Sequence, residues 1–279
     1  MLEERKKIEI EYYDKKAEEW LDKEKIKKKE TADFEGFNPL LLDSFRFCYQ
    51  WLKENCKNKV VLDYGCGNGI HSVPLAKMGA KKVFGIDLSE KSLEIAREKI
   101  KKEGLEGKVE FQKMDCEKME FPANFFDIIF DGGTFSSLDL ESAIPELVRV
   151  LKPNGSLIGI ETFGHNPFTN LKRKINKMIG KRTGWAAGHI FKMRDLDKAR
   201  QYFNKIEIYF FHLISWIAFP FLNLPGGKLL LKFFEFIDKI LLKIPFSRKY
   251  AFKIVFIFSN PKGRRDDLFL TSSEDSVND

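Results

Sequence analysis

The segment Val60-Val61-Leu62-Asp63-Tyr64-Gly65-Cys66-Gly67-Asn68-Gly69 constrains this chain more than any other. An apolar run ends in an acidic residue, and three glycines follow at alternate positions. Such a run suits a buried strand, and glycine lets the backbone turn sharply and approach a ligand at the carboxyl end of that strand. The spacing is not the dinucleotide pattern Gly-x-Gly-x-x-Gly, and a carboxylate at Asp63 would repel a pyrophosphate. It suits a cationic group instead, such as the amino group of an amino acid.

From Lys59 onward, strand and helix patterns alternate. Strands are expected at 60–63, 82–86, 109–112, 126–130, 156–162, 205–211 and 253–258. Helices are expected from about Gly69 to Met78, Glu90 to Lys102 and Glu141 to Leu151, and from near Asp195. The helix from Glu141 to Leu151 leads through Lys152-Pro153-Asn154-Gly155 to the strand at 156–162. Short apolar strands separated by helices imply a mostly parallel sheet covered on both faces. Ahead of them, Leu2 to Lys29 reads as one charged helix, and Asn38 to Glu54 as a second with Pro39 in its first turn. The expected organisation is therefore helices over 1–55 covering the ligand site, an α/β domain over 56–262 and a polar, disordered tail over 263–279.

Two further acids extend the pattern. Asp87 ends the second strand about 20 residues beyond the turn, where a carboxylate can accept ribose hydroxyls. Asp115, in Met114-Asp115-Cys116, follows the third strand, where a carboxylate can accept from an adenine amine. As a set, these features resemble class I S-adenosylmethionine-dependent methyltransferases of the small-molecule, type 11-like kind. Leu62 to Gly69 resembles the family's first motif, Asp87 its second-strand acid and Asp115 its adenine contact. Residues 125–129 and 151–157 look like its fourth strand and the approach to its fifth. Tyr12-Tyr13-Asp14 with Ala17 and Trp20 is similar to an amino-terminal motif whose aromatic side chain covers the cofactor.

The resemblance implies a Rossmann-like sheet of seven strands with an antiparallel last strand. It also implies S-adenosyl-L-methionine as donor and S-adenosyl-L-homocysteine as product. The residues expected around the donor are Tyr12, Tyr13, Trp20, Asp63, Gly65, Cys66, Gly67, Asn68, Gly69, His71, Asp87, Leu88, Asp115, Cys116, Asp131 and Gly132. Asp131 and Gly132 follow the fourth strand, where donor and acceptor should meet. No Asn-Pro-Pro-Tyr or Asp-Pro-Pro-Tyr stands there, as methylation of planar amino groups would require. Transfer of an activated methyl depends chiefly on positioning, so a general base is optional. His189, in a turn-rich stretch before a helix, is the candidate base, with a surface histidine as the plain alternative. His71 is assigned to the donor pocket, His165 is a weaker candidate, and His212 is expected to pack among apolar residues.

Between the last two strands, 208–246 is rich in phenylalanine, and a helix from Gly227 to Lys243 would carry a broad apolar face. Three uses stay open: a lid or interfacial element for a lipophilic acceptor, added core, or a homodimer surface. Pro220, Asn223, Pro225, Gly226 and Gly227 interrupt the run and argue against a span. The basic stretch from Lys172 to Arg182 suits a solvated helix, or contact with an anionic head group.

The net charge of +7 admits anionic partners, but acids are interleaved with bases, and no RNA-binding appendage is recognisable. Four scattered cysteines lack metal-site spacing, so no metal is expected, and reduced thiols in the cytoplasm are. Peripheral contact with the inner face of the membrane through 208–246 stays open. The functional expectation is methyl transfer to oxygen or nitrogen, with carbon open, of a small acceptor, lipid-linked or sugar-containing. The rivals are an RNA methyltransferase and a donor-binding, membrane-associated partner without catalysis.

Overall fold

The computed structural model describes residues 3–27, 41–178 and 180–262. The expected tail from 263, and the Asn38–Pro39 start of the second helix, lie outside the described residues. Two helices come first, α1 (Glu4–Lys27) and α2 (Asp43–Asn55). The alternation then runs β1 (Val60–Tyr64), α3 (Ser72–Lys77), β2 (Lys82–Asp87), α4 (Glu90–Lys102), β3 (Val109–Lys113), β4 (Phe126–Asp131), α5 (Leu140–Val150) and β5 (Leu151–Thr162). Helices α6 (Pro167–Met178), α7 (Gly184–Gly188) and α8 (Met193–Tyr202) lead to β6 (Phe203–Phe211). A 3-10 turn (Ser215–Phe221), α9 (Gly227–Leu241) and α10 (Pro245–Arg248) then precede β7 (Lys253–Pro261).

The seven strands form one sheet in the order β3-β2-β1-β4-β5-β7-β6. Strands β1 to β5 run parallel, and β7 lies antiparallel between β5 and β6. This is the expected Rossmann-like architecture. Side-chain alternation divides the core. Val61 enters a cluster with α2, α3 and α9, whereas its neighbour Leu62 enters another with α5 and α8. Local chemistry sets the helix starts: the Ser89 side chain accepts from the Ser92 amide to cap α4, and Asp139 accepts from the Glu141 amide to cap α5.

Two expectations are corrected. Helix α3 begins at Ser72 rather than Gly69, because Gly65, Gly67 and Gly69 all hold left-handed φ values that no right-handed helix admits. The connection expected at 152–155 is part of β5, which begins at Leu151 rather than Ser156. Phe126 pairs with Leu151 and Ile128 with Ser156, so the extra residues form an irregularity within the strand. Lys152 bonds Asp127 across it at 2.9 Å.

Among the described residues no helix is long and apolar enough to cross a membrane.

Candidate active site

A cavity opens at the carboxyl edge of β1 to β4. Its floor is the glycine turn, its walls are the loops after β2, β3 and β4, and its roof is α1. The turn requires glycine where it is tightest. Gly65 has φ +66°, and a Cβ there would lie 2.3 Å from Thr134 Oγ1, a hydroxyl that donates to the Tyr64 carbonyl at 3.0 Å.

Of the residues expected around a donor, Tyr13, Gly65, Cys66, Gly67, Asn68, His71, Asp87, Leu88, Asp115, Cys116 and Gly132 line this cavity. Asp87 accepts from the backbone amides of Gly67, at 3.0 Å, and Ser89, at 2.9 Å, which ties the second strand to the glycine turn. Burial pushes its carboxyl up. The Asn68 amide nitrogen is buried and has no hydrogen-bond partner within the protein. A buried donor in that condition is costly unless a ligand satisfies it.

The other expected residues stand off. Asp63 is fully buried beneath the turn, where it accepts from Ser72 Oγ at 2.5 Å, and burial raises its carboxyl to about 7. Gly69 packs against α4: a Cβ there would meet Ala96 Cβ at 2.9 Å. Asp131 lies below the cavity, and its Oδ1 accepts from the Thr134 amide at 2.8 Å, shaping the loop that carries Gly132. Burial and the neighbouring Glu161 carboxylate raise Asp131 well above the carboxylate range. Tyr12 points away and donates to the Lys181 carbonyl at 2.6 Å. Trp20 packs with Ala17 and Ile95 against α4.

Helix α1 contributes more than the aromatic motif suggested. Lys6 bonds Asp115 at 2.7 Å and Glu117 at 2.8 Å, and Arg5 bonds Glu117 at 2.7 Å. The carboxylate expected to meet an adenine amine therefore meets a lysine of the roof. Arg5, Lys6, Glu9 and Ile10 all line the cavity, as does Tyr13. The signal was present in the sequence, since Arg5, Glu9 and Tyr13 recur at intervals of four and share one helical face.

The histidines separate cleanly. His71 has its Nδ1 2.6 Å from the Tyr49 hydroxyl, and a Cβ on Gly132 would come within 3.0 Å of its Nε2. Burial lowers His71 to about 3, so the ring is neutral at physiological pH. His189, the candidate base, is exposed, stacks on Trp185 at 3.6 Å and lies outside the cavity lining. The His165 ring nitrogen accepts from the Met193 amide at 3.3 Å. His212 is buried between Ser44 Oγ, at 3.0 Å, and Ser215 Oγ, at 2.8 Å.

Residues 61–155 match the family model of a methyltransferase domain. The chain is 33% identical over 118 residues to a demethylmenaquinone methyltransferase of Bacteroides fragilis, covering 42% of this chain and 48% of that protein. It is 37% identical over 105 residues to a sterol 24-C-methyltransferase of Aspergillus fumigatus, covering 37% of this chain and 27% of that one. The chain thus spans about half or less of the length of these relatives. In fold it is similar to a geranyl diphosphate C-methyltransferase of Streptomyces coelicolor A3(2), with a TM-score of 0.56 over 77% of this chain and 79% of that one at 16% identity. The match over 61–155 identifies that segment as similar to a methyltransferase domain, and the sheet order gives the chain the fold of solved methyltransferases.

Proposed function

We propose that this protein transfers a methyl group from S-adenosyl-L-methionine to a small lipophilic acceptor. The observation that carries the reading is the cavity at the carboxyl edge that gathers the glycine turn, Asp87, Asp115 and the unpartnered Asn68 amide under α1. This donor set fits the methyl donor. Asp87, on the cavity wall, suits ribose hydroxyls, and Leu88, Cys116 and Leu138 offer apolar walls to a planar base. The Asn68 amide and the turn's backbone suit the amino-acid end. When bound, the donor supplies an activated sulfonium methyl.

The protein's own part is to orient and to exclude water. The ion pairs from Arg5 and Lys6 hold α1 over the cavity, and Tyr13 closes one side, with its hydroxyl 3.4 Å from Ser137 Oγ. His71 is assigned as a wall rather than a base, since a ring that titrates near 3 holds protons poorly. His189 is left without a proton-transfer role, since it stacks outside the cavity.

The lipophilic character of the acceptor is supported by the names of two relatives, one acting on demethylmenaquinone and one on a sterol. The sterol relative's name specifies transfer to carbon, which favours the carbon acceptor that the sequence left open beside oxygen and nitrogen. The test is transfer of labelled methyl from the donor to cell extracts divided into lipid, water-soluble and RNA fractions. Label in the lipid fraction is expected, and label confined to RNA or to the aqueous fraction contradicts the acceptor class.

A further inference from the structure

Strand β6 is antiparallel to β7, as β5 is, and Thr162 and Phe211 both pair with Lys253. The carboxyl ends of β5 and β6 therefore lie together at the edge that carries the cavity. Helix α6 leaves the sheet there, and so does the segment formed by the 3-10 turn, α9 and α10. Each presents an apolar stripe to solvent.

On α9, Leu229, Phe233, Phe236 and Ile240 recur at helical spacing and are exposed, Leu229 by 73% and Phe236 by 63%. The opposite side of α9 is anchored: Leu231 is buried, Glu235 accepts from the Asp43 amide of α2, and Asp238 accepts from the amides of Ile214 and Ser215. The exposed stripe is thus the outer face of a fixed helix. On α6, Phe168, Leu171, Ile175 and Met178 form a second exposed stripe, opposite buried Thr169 and Arg173. The ring of Phe168 lies 5.7 Å from that of Trp216, which brings α6 against the 3-10 turn that in turn packs on α9.

Charge on this surface has one sign. Over 167–178 and 215–250 the acids are Glu235 and Asp238, and both are buried. The exposed charges are cations, among them Lys172, Lys174 and Lys177 on α6, Lys228 and Lys232 on α9 and Lys243 just after it, while Lys239 pairs with Asp43 of α2. A second copy of the chain would bring this patch against itself in a two-fold interface and oppose like charges. An anionic lipid surface satisfies both features, taking the apolar stripes into its acyl boundary and the lysines at its head groups.

We infer that α6, the 3-10 turn, α9 and α10 form a docking face for an anionic lipid bilayer, set beside the mouth of the cavity. This stands independently of the methyl-transfer reading, because binding to lipid needs neither donor nor turnover.

The test is sedimentation of the purified protein with phosphatidylcholine vesicles, with and without phosphatidylglycerol. Binding at least tenfold tighter to the anionic vesicles, and weakened by raised salt, is expected. The double variant Phe233→Ser/Phe236→Ser should lose at least tenfold in vesicle affinity while keeping its melting temperature, since both rings are exposed. Lys228→Glu/Lys232→Glu should lose the preference for the anionic lipid. Absence of binding, equal binding to both vesicles, or a concentration-dependent dimer in light scattering that the phenylalanine variant dissolves would each overturn the proposal.

Discussion

The two halves of this sheet meet solvent at the same edge in opposite ways. At β1 to β4 the loops turn inward, and most of their polar groups are bonded within the protein: Asp87 to two amides, Asp115 and Glu117 to cations of α1, Asp63 to Ser72. At β5 to β7 the following elements hold their acids inward and turn phenylalanine, leucine and lysine outward. A polar, roofed cavity beside a cationic apolar surface is the contrast on which the two proposals rest, donor binding on one half and lipid docking on the other.

The comparison is broken most forcefully at Gly65. With φ +66° and Thr134 Oγ1 2.3 Å from where a Cβ would stand, Gly65→Val suffers both backbone strain and overlap, a cost of roughly 3 kcal/mol or more. Donor affinity should fall by at least about a hundredfold in calorimetry, with circular dichroism verifying that the sheet persists. Affinity within threefold of wild type would remove the turn from the donor site.

Within α9, Leu231→Ala should cost about 3 kcal/mol in denaturant unfolding, because its side chain is buried in the core shared with α2. Leu229→Ala, on the exposed side of the same helix, should change stability by less than about 0.5 kcal/mol. Equal costs would mean that α9 does not sit with its stripe outward.

The buried histidines allow a test of pH dependence. His212 is lowered by burial to about 3, against an ordinary value near 6.5, so the unfolded chain takes up a proton first as the pH falls. Its contribution to stability is present above about 6.5 and is lost progressively toward 3. Between pH 7 and 5 the wild type should therefore lose about 2 kcal/mol more than His212→Asn, measured as paired unfolding curves. Asparagine is chosen because it tolerates the left-handed backbone, φ 61°, at this position. Asp63 acts in the opposite sense: raised to about 7, it takes stability away as the pH climbs from about 4 through 7. That contribution is common to both proteins and cancels in the difference.

The smallest effect is expected at His189. Stacked on Trp185 and outside the cavity, it should tolerate alanine with less than a threefold change in donor affinity or turnover. A loss of a hundredfold in turnover alone would return it to the chemistry.

What the sequence made legible was chemistry carried by local order. The glycine turn, Asp87 and Asp115 could be read because each follows a recognisable strand, and in a parallel sheet the carboxyl ends of the strands share one edge. Partnerships across long separations could not be read in that way. Lys6 reaches Asp115 over 109 residues and Arg5 reaches Glu117 over 112, and the four-residue spacing in α1 marks a shared face but not those partners. Asp63 shows the limit from the other side: its place at the end of β1 is as expected, but the turn rises over it, and its carboxylate faces Ser72 rather than the cavity. For the insertion, periodicity revealed an apolar face, but only the contacts of Leu231, Glu235 and Asp238 show which side of α9 is anchored and which is left to solvent.

The central claim is that the cavity under α1 holds S-adenosyl-L-methionine through the acid that ends β2. Calorimetric titration of the donor into the wild type and into Asp87→Ala tests it most directly. Loss of charge-assisted hydrogen bonds to the ligand is worth about 1.5–3 kcal/mol, so the variant should bind roughly ten- to a hundredfold more weakly while remaining folded. Wild-type protein that takes up no donor, or a variant that binds it as tightly as the wild type, would contradict the account.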